Sequence, residues 1–212
     1  MIKKHLKTLI ITSLLTLTPI IFGVINWNVL PEEIATHFGT NGTADGFSSK
    51  AFVVFGMPFM MLGFHLLCFF GTNLDPKKKN INDTMMKFVL WIIPCLTVLV
   101  TTLSYSHALG KPLDPILWIN MVMGIAFIFV GNYLPKCKQS YTMGIKLPWT
   151  LHSEDNWNKT HRFGGKVWVI IGVVVMLNSF LGNVFIIFGC TFVAVVVPTA
   201  YSYALFVKEN KK

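Results

Sequence analysis

The chain has 212 residues, of which 53% are hydrophobic and only 13% are charged, and its mean hydropathy is +0.60. A soluble domain carries about 25% charged residues, so the composition excludes an ordinary soluble globular protein. Several apolar runs reach the roughly 20 residues that a helix needs to cross a bilayer. The sequence therefore indicates an integral membrane protein. Its net charge of +9 is then a sign of membrane orientation and does not point to a nucleic-acid partner.

Six membrane-spanning helices are predicted. They cover about residues 6–27, 51–71, 85–106, 116–134, 165–181 and 184–206. The last two come from one apolar run of about 40 residues, which as a single helix would be about twice as long as a bilayer core is thick. We therefore expect this run to fold back at Ser179–Asn183. Because the span interiors contain no Asp, Glu, Lys or Arg, they lack the groups that mark ion-coupled pathways, which argues against a coupled transporter.

The distribution of basic residues predicts the orientation. If the amino terminus is cytoplasmic, sixteen of the eighteen basic residues lie inside and only Lys50 and Lys111 lie outside, as the positive-inside rule expects. The predicted fold is therefore an all-α integral membrane protein with about six transmembrane helices and both termini cytoplasmic. We predict three regions: residues 1–80 with two helices and an external loop at 28–50, residues 81–115 with the third helix and a connection, and residues 116–212 with three helices and a cytoplasmic loop at 135–166.

Two polar features stand out inside the first two spans. Thr8, Thr12 and Thr16 recur every four residues on one helix face, where they can bond carbonyls of the same helix or a neighbour. His65 lies within the second span. We interpret it as a neutral imidazole bonded to a neighbouring helix, and a buried ligand or titrating site is the alternative.

The external loop is predicted to be compact. It reads LPEEIATHFGTNGTADGFSSK from Leu30 to Lys50. Asn41-Gly42 and Asp45-Gly46 are turn dipeptides, because Gly and Asn tolerate positive φ.

Candidate functional side chains of this loop are His37, Asp45 and Lys50. His37 and Asp45 could share a metal ion, with Glu32 and Glu33 near in sequence. Local hydrogen bonds or a docking surface for an external partner are the favoured interpretations. The four cysteines show no CxxC or CxxH spacing, so no disulfide framework or zinc site is predicted, and we expect no bound metal or cofactor.

The predicted cytoplasmic loop is the longest polar interruption in the chain. Ser153 is a favourable helix N-cap, and acids follow it in the first turn, where the helix dipole favours them. Asp155 and Lys159 have the spacing of a helical ion pair. We expect Gly164-Gly165 to bend this short helix before the fifth span.

One face of this helix carries Glu154, Trp157 and His161, and it admits three interpretations. It can be an interfacial anchor, with aromatic rings at headgroup level. It can be an enzyme site in which His161 is a general base oriented by Glu154, although no nucleophile elbow, HExxH motif or phosphate loop is present. It can also be a binding site in which aromatic rings and cations, including the single arginine Arg162, hold a peptide or an anionic lipid headgroup.

Three segments of this loop resemble the carboxy-terminal module of the SdpI family of bacterial immunity proteins. They are GNYLPK, GIKLPWTL and SEDNWNKTH. The external loop resembles a small membrane domain of unknown function that often precedes that module. The resemblance implies a multi-pass protein of the bacterial plasma membrane that protects the cell from a secreted peptide toxin. It also implies that a cytoplasmic transcriptional repressor is a possible second partner, beside the toxin and the lipid bilayer.

The resemblance also selects binding-site candidates, none of them assigned to catalysis. In the inner loop they are Asn132, Pro135, Gly144, Pro148, Trp149, Thr150, Glu154, Trp157, Thr160 and His161, together with the adjacent Arg162. In the outer loop they are Pro31, His37, Gly42, Asp45 and Lys50. The chain departs from the family pattern at Thr36, Ser140, Lys146 and Leu147. The predicted function is an immunity or binding protein without catalysis, and the alternative is a membrane-embedded enzyme that uses Glu154 and His161.

Overall fold

The computed structural model describes residues 2–210, and most of them are helical. Its helices are, in chain order, α1 (Ile2–Ile25), α2 (Met57–Asn73), α3 (Asp83–Ala108), α4 (Pro115–Tyr133), the short α5 (Pro148–His152), α6 (Glu154–Asn178) and α7 (Val184–Glu209). Six stretches of the described chain are helical, long and apolar enough to cross a membrane. The predicted number of spans is therefore confirmed.

The chain divides into two compact units. One contains the residues up to Asn73 together with Asp83–Pro115, and the other contains Leu74–Asn82 together with the residues from Ile116 onward. The third predicted helix thus packs with the first two. The short segment that precedes it belongs to the second unit.

In the first unit, polar side chains join the helices where they are buried. Tyr105 Oη of α3 donates a hydrogen bond to the carbonyl of Pro19 in α1 (3.2 Å). His65 of α2 is buried, and its Nε2 lies 3.0 Å from Thr12 Oγ1 of α1. Thr12 and Thr16 also donate to carbonyls one turn earlier. The predicted hydrogen bond from His65 to a neighbouring helix is therefore confirmed.

The connection between α1 and α2 contains a β-hairpin, which the all-α prediction does not include. Strands β1 (Glu33–Phe38) and β2 (Ala44–Ser49) pair antiparallel. Ile34 is 1% exposed and belongs to a core cluster with Val54 and Tyr105. Because this strand buries apolar side chains against helix ends, the hairpin is stabilised by tertiary packing.

The hairpin reverses within residues 39–43. The N–H of Gly39 donates to the carbonyl of Thr43 (2.8 Å), and Gly42, in this turn, has a φ of 78°. The prediction that Asp45-Gly46 forms a second turn is wrong, because both residues lie inside β2. After β2, one π-helical turn (Phe52–Gly56) begins the second span.

In the second unit, α6 is a continuous helix from Glu154 to Asn178. The predicted inner loop at 135–166 therefore ends at Ser153, and the short motif helix and the fifth span are one helix. Gly164-Gly165, where a bend before the fifth span was expected, lies inside this helix. Both glycines are buried, and a Cβ on Gly165 would lie 2.6 Å from the carbonyl oxygen of Gly131. Close packing thus explains glycine at these positions without a break in the helix.

Glycines bring α4 and α6 into backbone contact at two levels. A Cβ on Gly131 would lie 2.8 Å from the carbonyl oxygen of Gly165, and one on Gly124 would lie 2.7 Å from that of Gly172. The glycines are seven residues apart on each helix, which places them on one face. Small residues at such a face let membrane helices approach closely. Beside this seam, Phe127 packs edge-on against Trp168, with ring centroids 5.3 Å apart.

The predicted reversal at Ser179–Asn183 is confirmed. α6 ends at Asn178, and Asn183 caps α7 by accepting a hydrogen bond from the N–H of Phe185 (2.9 Å). Asn178 Nδ2 donates to Asn120 Oδ1 of α4 (3.1 Å) and to the carbonyl of Asn183 (2.9 Å). One buried amide therefore ties the reversal to α4.

Candidate functional site

His37 and Asp45 face each other across the hairpin. His37 Nδ1 lies 2.5 Å from Asp45 Oδ1, and the two side chains are 72% and 51% exposed. The favoured interpretation, a local hydrogen bond, is confirmed. Within residues 2–210, no cluster of three His, Cys, Asp or Glu side chains is arranged to hold a metal ion. The pair is therefore a solvent-facing polar feature that combines a carboxylate and an imidazole.

Lys50, in contrast, is not presented to a partner. Its Nζ donates hydrogen bonds to the carbonyls of Trp27 (3.2 Å) and Leu30 (3.1 Å) and lies 2.9 Å from Glu32 Oε1. Its side chain is only 8% exposed, whereas that of Glu32 is 89% exposed. The hypothesis that Lys50 is a docking residue is thus corrected: it fastens the end of the hairpin to the chain that leaves α1. Pro31, another candidate residue of this loop, is exposed.

The polar part of the second unit is a folded cap, which we define as residues 74–82 and 134–161. It contains most of the inner motif residues. Ser153 caps α6 by accepting a hydrogen bond from the N–H of Asn156 (3.1 Å), and Lys159 pairs with Asp155 (2.5 Å). Both sequence predictions are confirmed.

At the centre of the cap, Trp157 and His161 are buried and stacked. They are 0% and 1% exposed, with ring centroids 4.0 Å apart. Trp157 Nε1 donates to the carbonyl of Cys137 (2.7 Å). His161 Nδ1 lies 2.7 Å from the carbonyl of Trp157, and Nε2 accepts a hydrogen bond from the N–H of Ile145 (2.9 Å). Because a carbonyl only accepts, the proton of the neutral ring is on Nδ1.

Gly144 is fitted against these two rings. Its φ is +106°, and a Cβ would lie 2.5 Å from His161 Nε2 and 2.8 Å from the ring of Trp157. Glycine is required here by both the backbone conformation and the space. Gly144, Trp157 and His161 therefore pack together as one cluster.

The geometry of His161 does not fit the role of a general base. Both nitrogens of His161 are bonded to backbone groups, so neither has a free lone pair for a substrate proton. Glu154 is exposed, as is His152. Burial raises the pKa of the Cys137 thiol to about 11, so this thiol is protonated at neutral pH and is a poor nucleophile.

Asp75 is the polar centre of the cap, and it is absent from the residues that the sequence predicts. Its Oδ2 accepts hydrogen bonds from Ser140 Oγ (2.7 Å), the N–H of Tyr141 (3.0 Å), and the N–H (2.9 Å) and Oγ1 (2.7 Å) of Thr142. Its Oδ1 accepts from the N–H of Lys77 (2.7 Å). The carboxylate therefore binds the 134–153 segment to the 74–82 segment.

The electrostatics of Asp75 follow from this arrangement. Burial alone would raise the pKa of Asp75, but the hydrogen bonds from Ser140, Thr142 and the backbone outweigh it and hold the pKa below its usual value. Ser140, at a position where the family pattern has another residue, donates one of these bonds. The available sequence signal is an isolated acid followed by proline and three lysines, LDPKKK.

Thr150 organises the start of α5. Its Oγ1 accepts from the N–H of Leu147 and lies 2.9 Å from the carbonyl of Ile145. Gln139 Nε2 donates to the carbonyl of Thr150 (2.9 Å), and Lys77 Nζ donates to Gln139 Oε1 (3.0 Å). The turn that contains Pro148 is thus tied to the 74–82 segment as well.

A second polar cluster joins the cap to α7. Trp149 Nε1 donates to Ser202 Oγ (2.9 Å), which donates in turn to Asn156 Oδ1 (2.8 Å). Thr160 Oγ1 donates to the same Asn156 oxygen (3.0 Å). Asn156 and Ser202 are buried, and neither is among the residues that the sequence predicts.

The structure thus separates the inner motif residues into two groups. Those packed within the cap are buried or half-buried: Gly144, Trp149, Thr150, Trp157, Thr160 and His161. Those on the surface are exposed: Asn132, Pro135, Pro148, Glu154 and Arg162. Only the second group is available to a partner.

Comparison with known proteins places this architecture in a family. Residues 136–202 match the SdpI/YfhL protein family, and residues 14–62 match a domain of unknown function (DUF1648). The protein named immunity protein SdpI from Bacillus subtilis (strain 168) is 30% identical over 216 residues, which cover 98% of each chain. No solved structure matches the chain. Both predicted resemblances are confirmed, and the protein is a multi-pass protein of the bacterial plasma membrane. The chain belongs to the SdpI family.

Proposed function

We propose that this chain is a membrane immunity protein that protects a bacterium from a secreted antimicrobial peptide toxin. The name of its relative, an immunity protein, supports this class of function. The observation that carries the choice of site is the exposure of the His37–Asp45 pair on a folded hairpin. The inner motif residues at the centre of the cap are, by contrast, buried and bonded to one another.

The orientation belongs to the same proposal. With both termini cytoplasmic, sixteen of the eighteen basic residues lie inside, which the positive-inside rule favours. The hairpin then faces the exterior, where a secreted toxin arrives, and the cap faces the cytoplasm.

The hairpin offers a defined charge to such a toxin. Glu32, Glu33 and Asp45 are exposed, whereas the one lysine of this region, Lys50, is buried beneath them. A surface of this sign attracts a cationic peptide. First contact is therefore assigned to the hairpin face that carries His37 and Asp45.

The cap has a different role in this proposal. Its buried residues hold the helix ends of the second unit together. Its exposed Glu154 and Arg162 are the side chains that a cytoplasmic transcriptional repressor would meet if the chain also signals.

The experiment is a protection assay in a toxin-sensitive bacterium that expresses the full chain. Replacement of His37 by Ala or Asp45 by Asn should weaken protection without lowering membrane abundance, because both side chains are exposed. Thr40→Ala is the matched control, since Thr40 is exposed in the same hairpin and lies outside the pair. Full protection by the His37 and Asp45 variants, combined with loss of protection by Glu154→Gln or Arg162→Gln at normal abundance, would move the site of action to the cap.

Orientation is tested separately with reporter fusions. Fusions after Lys79, Lys146 and Lys212 should report a cytoplasmic location, and fusions near Asn41 and Lys111 an external one. An external signal at Lys146 contradicts the orientation and removes the hairpin from the side on which the toxin acts.

A further inference from the structure

A groove between α4 and α6 begins where the polar cap gives way to the apolar helices. Its volume is about 470 Å³, and its floor includes Gly131 and Gly165, the glycines at one level of the helix contact. This volume is within the roughly 300–1,000 Å³ that small-molecule sites occupy. The two glycines hold α4 and α6 in backbone contact, and the groove lies along this contact.

The groove changes character along its length. Lys166 and Asn132 lie at one end, whereas Val169 and Ile170 lie further along α6. Ile170 is 65% exposed. From Val167 to Asn178, α6 contains no ionisable residue, so the apolar end of the groove points into the hydrocarbon region and Lys166 lies toward its boundary. The order of polar and apolar parts matches that of a phospholipid.

The charged side chain that lines the polar end of the groove is positive. Lys166 and Arg162 are exposed and four residues apart on α6, so they lie on one face. Lys136, which follows the groove residue Pro135, is also exposed. The chain has no Asp or Glu from Pro115 to Ser153 or from Asn156 to Lys208. A phosphate group is therefore the headgroup chemistry that this end of the groove complements.

We propose that this groove binds one anionic phospholipid, with its phosphate at Lys166 and an acyl chain along Val169 and Ile170. Arg162 and Lys136 add to the attraction from the headgroup side. The lipid would lie beside the contact between the two glycines and touch both α4 and α6. This site is independent of the toxin and of the hairpin.

The test uses the detergent-solubilised full chain and native mass spectrometry. The protein is equilibrated with an equimolar mixture of dioleoyl-phosphatidylglycerol and dioleoyl-phosphatidylcholine. The bound lipid is then identified from the mass of the complex. We expect selective retention of phosphatidylglycerol, and the variant K166Q should lower that retention by about fivefold, the effect of one surface lysine. K166R should retain it, because arginine also binds phosphate.

Two further variants separate charge from shape. K208Q removes a lysine from the end of α7, outside the groove, and should leave retention unchanged. N132W keeps every charge but fills the groove, and it should lower the retention of the lipid. Equal retention by K166Q and K208Q overturns the proposal. Displacement of phosphatidylglycerol by glycerol 3-phosphate at the same concentration also overturns it, because the site would then bind a small anion and not a lipid.

Discussion

Replacing Gly144 by Ala should destabilise the cap through two separate effects. The residue would have to adopt a φ of +106°, which costs an L-residue about 1–3 kcal/mol. The new methyl would also lie 2.5 Å from His161 Nε2 and 2.8 Å from the Trp157 ring. His161 cannot move away freely, because both its nitrogens are bonded to backbone groups. Overpacking of this kind typically costs a further 1–3 kcal/mol, so we expect about 2–6 kcal/mol in all.

Two other glycines serve as matched controls. Gly182 has a φ of +64° with open space around its Cβ position, and Gly189 has open space and no positive φ. Gly182→Ala therefore carries the strain alone, and Gly189→Ala carries neither effect. Thermal unfolding of the detergent-solubilised chain, followed by tryptophan fluorescence, should rank the melting temperatures Gly189→Ala, Gly182→Ala, Gly144→Ala from highest to lowest. A melting temperature for Gly144→Ala equal to that of Gly182→Ala would refute the packing argument.

Four further substitutions test the other buried polar groups, three at buried residues and one at an exposed partner. Asp75→Asn should destabilise the cap by about 3 kcal/mol, since an amide has only one acceptor oxygen and its nitrogen would face either the donors at Oδ2 or the N–H of Lys77. Because the folded-state pKa of Asp75 is lowered, its stabilisation is present above about pH 4 and is lost as the pH falls through the folded pKa, so melting curves of wild type and variant should converge in acid. Lys50→Met should lower the free energy of unfolding by about 2–3 kcal/mol. Glu32→Gln, at the exposed end of the same ion pair, should change the free energy of unfolding by no more than about 0.5 kcal/mol. His161→Gln should lower the amount of folded protein in the membrane. Normal abundance of this variant with complete loss of protection would instead favour a chemical role for the imidazole.

Much of the helical layout could be predicted because the bilayer imposes a simple length rule. Apolar runs of the required length located the six spans, and Ser179–Asn183 was recognisable as the reversal because one helix cannot be twice the membrane thickness. Local capping chemistry likewise predicted Ser153 as the start of a helix. These features depend on residues close in sequence.

The features that escaped prediction depend on residues far apart in sequence. The 1% exposure of Ile34 results from packing against Val54 and Tyr105, so no local pattern in the loop predicted a strand. Lys50 was a candidate functional side chain of the external loop, yet three oxygen atoms of other residues surround its Nζ.

The division of α6 into a short helix and a separate fifth span was wrong for a related reason. Gly164-Gly165 suggests a bend between two helices when helix propensity is considered alone. Its role is steric, since it allows Gly131 of another helix to approach. Asp75 was overlooked because its partners, Ser140 and Thr142, are more than sixty residues away along the chain.

The position of Asp75 also determines how the chain can be divided. The segment Leu74–Asn82 belongs to the second unit, but the helices on both sides of it belong to the first. The two units therefore alternate along the sequence. A recombination junction between α3 and α4 would separate the carboxy-terminal helices from Asp75, the carboxylate that organises their cap. The order of synthesis favours this contact. Asp75 leaves the ribosome well before residues 140–142, so the acceptor carboxylate has been made before the groups that donate hydrogen bonds to it. Exchange of modules between relatives would need to carry this short segment along with the helices it serves.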